Sequence, residues 1–102
     1  GTGHPSDMIP GVLAVADGHK ANGQAVITAI MAAYEAFCRV ADHLSLKTWD
    51  QGVYVAIGTA CGAGKIIGLG PAALAHAIAI AITSTVPLRA TRIDPMTALR
   101  YD

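Results

Sequence analysis

QAVITAIMAAYEAFCRVADH, residues 24–43, decides the fold class. Val26, Ile27, Ile30, Met31, Tyr34, Phe37, Cys38, Ala41 and the following Leu44 recur at three- and four-residue intervals, the period of an α-helix with one apolar stripe. Glu35, Arg39 and Asp42 fall on the other face, and Glu35 and Arg39 form a favourable i,i+4 pair. No stretch of the chain shows the strict alternation of a strand. The predicted fold is therefore all-α, a bundle of about four helices in one domain over residues 1–102, with the tail from about residue 87 carrying too few core residues to define an element.

Upstream, the pattern predicts a first helix from about Asp7 to His19, with Ser6 or Asp7 as its cap and Pro10 in the opening turn. Ile9, Val12, Leu13 and Ala16 form its apolar face, and Ala21-Asn22-Gly23 breaks the chain. Downstream, a polar connector over residues 45–48 leads to Trp49 and Asp50, with Asp50 as the cap of a third helix, Gln51–Ile67, stopped by Gly68. Gly58 and Gly62, then Gly64 and Gly68, are spaced for close helix–helix approach; otherwise each interior glycine costs about 1 kcal/mol. Gly70-Pro71 opens a fourth helix, apolar on nearly every side and expected at the centre of the assembly, with Thr85-Val86-Pro87 ending it.

The 102 residues are 53% apolar and 14% charged, a thin polar covering for a small domain. That predicts burial against further copies of the chain or against another part of a polypeptide, and so a homo-oligomer. Seven basic and seven acidic residues cancel, with no basic cluster to neutralise phosphates, which argues against nucleic-acid binding. Residues 53–69 and 72–83, interrupted by Lys65 and His76, fall short of the ~18–20 apolar residues of a membrane span. No leader is visible, so the expected location is cytoplasmic; a start at Gly rather than Met fits an excised segment. Cys38 and Cys61 lack metal-ligand spacing and read as buried free thiols.

Chemistry is concentrated in GTGHPSDMIP, residues 1–10. His4 stands on a polar elbow, His4-Pro5-Ser6-Asp7, at the mouth of a helix, where a neutral imidazole can serve as general acid or base and backbone N–H groups favour an anion. On spacing alone, the plainer reading of His4 as an exposed histidine near a chain end takes precedence. His19 and His43 lie near helix C-termini and read as structural, and His76, among alanines and isoleucines, reads as a core histidine. No metal-ligand spacing exists among His, Cys or carboxylate residues. Arg89 and Arg92 have the spacing to clamp a carboxylate, or to form a solvated basic turn. GAGK, residues 62–65, lacks the full phosphate-loop pattern, since Ile66 follows the lysine.

Taken in order, four blocks resemble the MmgE/PrpD family: HPSDMIPGVLAVAD (4–17), ITAIMAAYEAFCRVAD (27–42), TWDQGVYVAIGTACGAGKIIGLG (48–70) and HAIAIAITSTVPLRATR (76–92). That family includes 2-methylcitrate dehydratases, cis-aconitate decarboxylase and iminodisuccinate epimerase, and the likeness is closest to the dehydratase-like branch. The resemblance implies an internal part of a helical domain whose relatives also carry an α+β lid. It implies cofactor-free acid–base elimination or addition on tri- and dicarboxylic acids, a small carboxylic acid as ligand and no cofactor. His4 falls at the family's catalytic histidine, and Ser6, Arg89 and Arg92 fall where substrate carboxylates would be held. Arg100 falls near the family's lysine, where the match degrades beyond Asp94; an arginine keeps the charge but cannot act as a base. The family's upstream aspartate-rich block and its lid have no counterpart here, so little or no turnover is expected from the isolated chain. The alternative is a non-catalytic helical module that self-associates or binds a carboxylate.

Overall fold

The structure, a computed structural model, describes residues 3–43 and 51–91, with side chains described as far as residue 85. Pro5–Met8 form a 3-10 turn that runs without a break into α1 (Ile9–Gly18); α2 (Gly23–His43), α3 (Gly52–Ile67) and α4 (Pro71–Thr91) follow. No strand occurs among the described residues, and the all-α expectation holds.

The central element is α3, which packs against α2, α4, α1 and the 3-10 turn. Its glycines explain why. A Cβ at Gly58 would lie 2.9 Å from the Ala33 carbonyl oxygen and would collide with Met8 Sδ; at Gly62 it would lie 3.0 Å from the Ala29 carbonyl oxygen and 2.8 Å from Val12 Cγ2. The backbone of α2 therefore sits directly on α3, and the largest fully buried side chains, Met8 and Val12, fill the hollows that the missing Cβ atoms leave. Further along, a Cβ at Gly64 would lie 2.7 Å from Leu74 Cδ1 of α4. Close approach of helices, predicted for Gly58, Gly62, Gly64 and Gly68, is what the structure contains at the first three, whereas a Cβ at Gly68 would meet nothing within 4 Å.

Contact that close selects small residues on the partner too. The inward face of α2 is Ala29, Ala33, Phe37 and Ala41, with Ile30, Tyr34 and Val40 packed partly against the core. Ile27, Met31 and Cys38 are exposed, so the buried stripe is rotated by about a fifth of a turn from the one marked by the bulkiest side chains. Cys38 is thus not a buried thiol, and Cys61 is half-buried. Leu13 is exposed as well, while Val12 and Ala16 of its predicted face are buried. In labelling with a disulfide reagent, one thiol is expected to react promptly. Burial pushes the Cys61 thiol up, leaving less thiolate at neutral pH, so its labelling should lag and accelerate only at a higher pH. Two equally fast thiols would contradict this placement.

Several ends match local chemistry. Asn22 caps α2, its Oδ1 accepting the Ala25 N–H at 2.8 Å. Gly68 closes α3 in a left-handed conformation (φ +87°), with the Gly68 and Leu69 N–H groups both donating to the Gly64 carbonyl. At the end of α2, His43 Nδ1–H donates to the Arg39 carbonyl at 2.8 Å, the structural role expected of it. The Glu35–Arg39 pair forms on the exposed face, where it contributes little stability.

Other expectations are corrected. The first helix does not start at Asp7 with a side-chain cap: Ser6 and Asp7 lie inside the 3-10 turn, which makes no side-chain capping bond. No side chain caps α3 either; its N-cap is Gln51, and Asp50, with Leu44, the 45–48 connector and Trp49, lies outside the described residues. The fourth helix does not end at Thr85-Val86-Pro87 but runs on to Thr91, since an interior proline removes one backbone bond and crowds the preceding turn without forbidding continuation. Nor is it central within the chain: α4 packs on α3 and leaves His76 exposed, not in the core.

By length and composition α2 would also be long and apolar enough to cross a membrane, with mean hydropathy 1.2 over its most apolar window. The two stretches weighed from sequence do not include it. Its alanine stripe is engaged with α3, and Glu35, Arg39 and Asp42 line its outer face, which is the pattern of a bundle helix.

Candidate active site

The elbow that carries His4 is fixed at both ends. On its N-terminal side Gly3 adopts φ +143°, a backbone conformation reserved for glycine, and a Cβ there would lie 2.7 Å from Phe37 Cζ and 3.1 Å from Gln51 Oε1. On its C-terminal side Met8 is buried against Gly58. Between these anchors, the His4 carbonyl accepts the Asp7 N–H at 3.0 Å, which forms the 3-10 turn.

A third tie comes from the start of α3. Gln51 Oε1 accepts the backbone N–H of His4, and Gln51 Nε2 donates to Asp7 Oδ2 at 2.8 Å. Forty-seven and forty-four residues of chain separate these partners, yet a single carboxamide joins both. The Asp7 carboxylate, expected as a helix cap, is instead held by Gln51, the residue before α3.

His4 itself is exposed, and among the described residues its imidazole makes no hydrogen bond. The result is a rigidly placed backbone presenting a ring that is open to a ligand. Ser6 lies two residues on, exposed on the same elbow. Arg89 lies in the last turns of α4, its side chain outside the described residues, as are Arg92 and Arg100 entirely. A three-residue connection joins α3 to α4, which packs on α3 with Leu74 of its first turn against Gly64.

Sequence reasoning did not find Gly3, Met8 or Gln51. A glycine before a histidine is a faint signal, and Gln51 reads as the first residue of a helix; the partnership exists only once α3 folds against the elbow. Among the described residues, no group of three His, Cys, Asp or Glu side chains could hold a metal ion. Gly62, Gly64 and Lys65 all lie inside α3, so their amides serve the helix and form no phosphate cradle. Lys65 instead borders a shallow depression of 340 Å³ with Asn22, Gln24, Ala25, Thr28 and Ile66, which contains none of the elbow residues.

The family model for the MmgE/PrpD N-terminal domain matches residues 1–101. No curated protein and no solved structure matches the chain.

Proposed function

We propose that this chain, which belongs to the MmgE/PrpD family, carries the histidine-bearing part of a dehydratase-type site for tri- and dicarboxylic acids of the 2-methylcitrate class. The observation that carries the reading is His4: an exposed imidazole on an elbow pinned by Gly3, Gln51 and Met8. In such a reaction a base takes the proton α to a carboxylate, the resulting electron pair forms the C=C bond, and an acid protonates the departing hydroxyl as water. An imidazole can fill either role. No cofactor is invoked in this scheme.

Carboxylates need donors, and Ser6 beside His4 is one. Arg89 and Arg92 are proposed as the cationic groups, their three-residue spacing being suited to clamping a carboxylate. Arg100 is proposed at the family's lysine position as a fixed charge and not as a base. With one acid–base side chain in place, the isolated chain is expected to bind carboxylates but to turn them over slowly or not at all.

The test is an absorbance assay of the purified chain with 2-methylcitrate and with cis-aconitate, with calorimetric binding alongside. Binding without turnover, abolished by His4→Ala, is the expected result. Turnover that His4→Ala removes would overturn the expected lack of activity; binding indifferent to His4→Ala would overturn the site.

One observation favours a second activity, self-association. Ile27, Met31 and Ile80 are 62, 66 and 65% exposed on a chain with few charges. Burial of this surface in a homo-oligomer is proposed, in a cytoplasmic setting, with neither membrane nor nucleic acid as partner. In sedimentation the chain should run larger than a monomer, and Ile27→Glu with Met31→Glu should shift it toward the monomer. A parent chain that is already monomeric would refute association.

A further inference from the structure

Gln51 does for the elbow what no other single side chain of the site does. Its carboxamide uses its acceptor on the His4 N–H and its donor on Asp7 Oδ2, so both the residue carrying the imidazole and the turn that follows it are registered to the first residue before α3. A carboxamide is suited to this because it is neutral and offers a donor and an acceptor on one rigid plane. The opposite wall of the elbow is closed, since Gly3 has no room for a Cβ between Phe37 and Gln51. Held so, the His4 backbone leaves its imidazole only its side-chain torsions to move.

We infer that Gln51 is a positioning residue for His4: it sets where the imidazole meets a bound carboxylate without touching that carboxylate itself. The inference rests on the His4 reading given above. Its removal costs a pair of exposed hydrogen bonds, so the helices should stay folded while ligand affinity falls.

The chain and four variants, Gln51→Ala, Gln51→Glu, Asp7→Asn and Gln51→Glu with Asp7→Asn, would be titrated calorimetrically with 2-methylcitrate, with His4 amide exchange and thermal melting followed for each. Gln51→Ala should weaken binding about tenfold and speed His4 amide exchange by a similar factor, with its melting point near that of the parent. Gln51→Glu keeps an acceptor for the His4 N–H but sets two carboxylates face to face, so it should also weaken binding. In the double variant the introduced carboxamide donates to the introduced carboxylate, restoring the bridge with reversed polarity. Its affinity should return toward that of the parent, which carries the same single negative charge across the pair, while Asp7→Asn alone shows what loss of that charge does by itself.

Equal affinity in the parent and Gln51→Ala would overturn the inference while leaving the His4 reading intact, as would a double variant no tighter than Gln51→Glu. Absence of binding in the parent would instead sink the His4 reading. Amide exchange then decides the matter for Gln51 alone: faster exchange in Gln51→Ala supports the placement, and unchanged exchange refutes it.

Discussion

Phe37→Ala is expected to lose about 3–5 kcal/mol of stability, a large part of the about 5–15 kcal/mol that holds a domain of this kind together. Phe37 is buried on α2, stacks edge-on against Tyr54 of α3 with ring centroids 5.7 Å apart, and touches the elbow through Cζ beside Gly3. Truncation removes its transfer energy, the ring–ring contact and the floor under the elbow at once. At about 4–8 °C per kcal/mol for a chain of this size, the melting temperature should fall by well over 10 °C, and His4 amide exchange should accelerate in the fraction still folded. A loss under about 1 kcal/mol in a denaturant titration would mean that Phe37 is not where the α2–α3 contact places it.

The second large effect concerns Gly58. Replacing an interior helical glycine by alanine ordinarily stabilises by about 1 kcal/mol. At Gly58 the new methyl meets the Ala33 carbonyl oxygen at 2.9 Å, which is backbone and cannot swing away, and collides with Met8 Sδ. To make room α2 must lift from α3 and Met8 must leave its hollow, so overpacking outweighs the propensity gain and Gly58→Ala should destabilise by about 1–3 kcal/mol. Gly18, the last residue of α1, is the contrast: a Cβ there meets nothing within 4 Å, and Gly18→Ala should be neutral or slightly stabilising. If both substitutions stabilise equally, α2 and α3 are not in backbone contact.

These two positions also mark what could be read from the letters alone. Small-residue spacing at Gly58 and Gly62 announced a close helix contact, because glycine inside a helix has few other uses. Which face of α2 answers that contact was not legible. Hydrophobicity pointed to Ile27 and Met31, whereas steric fit selects Ala29 and Ala33, and that choice depends on Gly62 and Gly58, far along the chain. The breaks at Ala21–Gly23 and Gly68–Pro71 were legible, since a short polar cap, a left-handed glycine and a proline at a first turn act locally. Pro87 was read too strictly, its local penalty being smaller than what continuation of α4 provides.

For the site, His4 was legible as a reactive type in a good position, and the ordered family blocks gave it a role. The clamp around it was not, because Gly3, Phe37 and Gln51 meet only through tertiary packing. The acid–base account therefore stands on a sequence feature, and the placement of that feature stands on the fold.

The most direct test of the central claim follows the ring protons of the four histidines by NMR during a 2-methylcitrate titration. His19 and His43 cap helix ends and His76 lies on the outer part of α4, so they serve as internal controls. The account predicts a saturable shift at His4 with little movement at the other three. Equal drift of all four, or saturation at one of the others with His4 still, would contradict it.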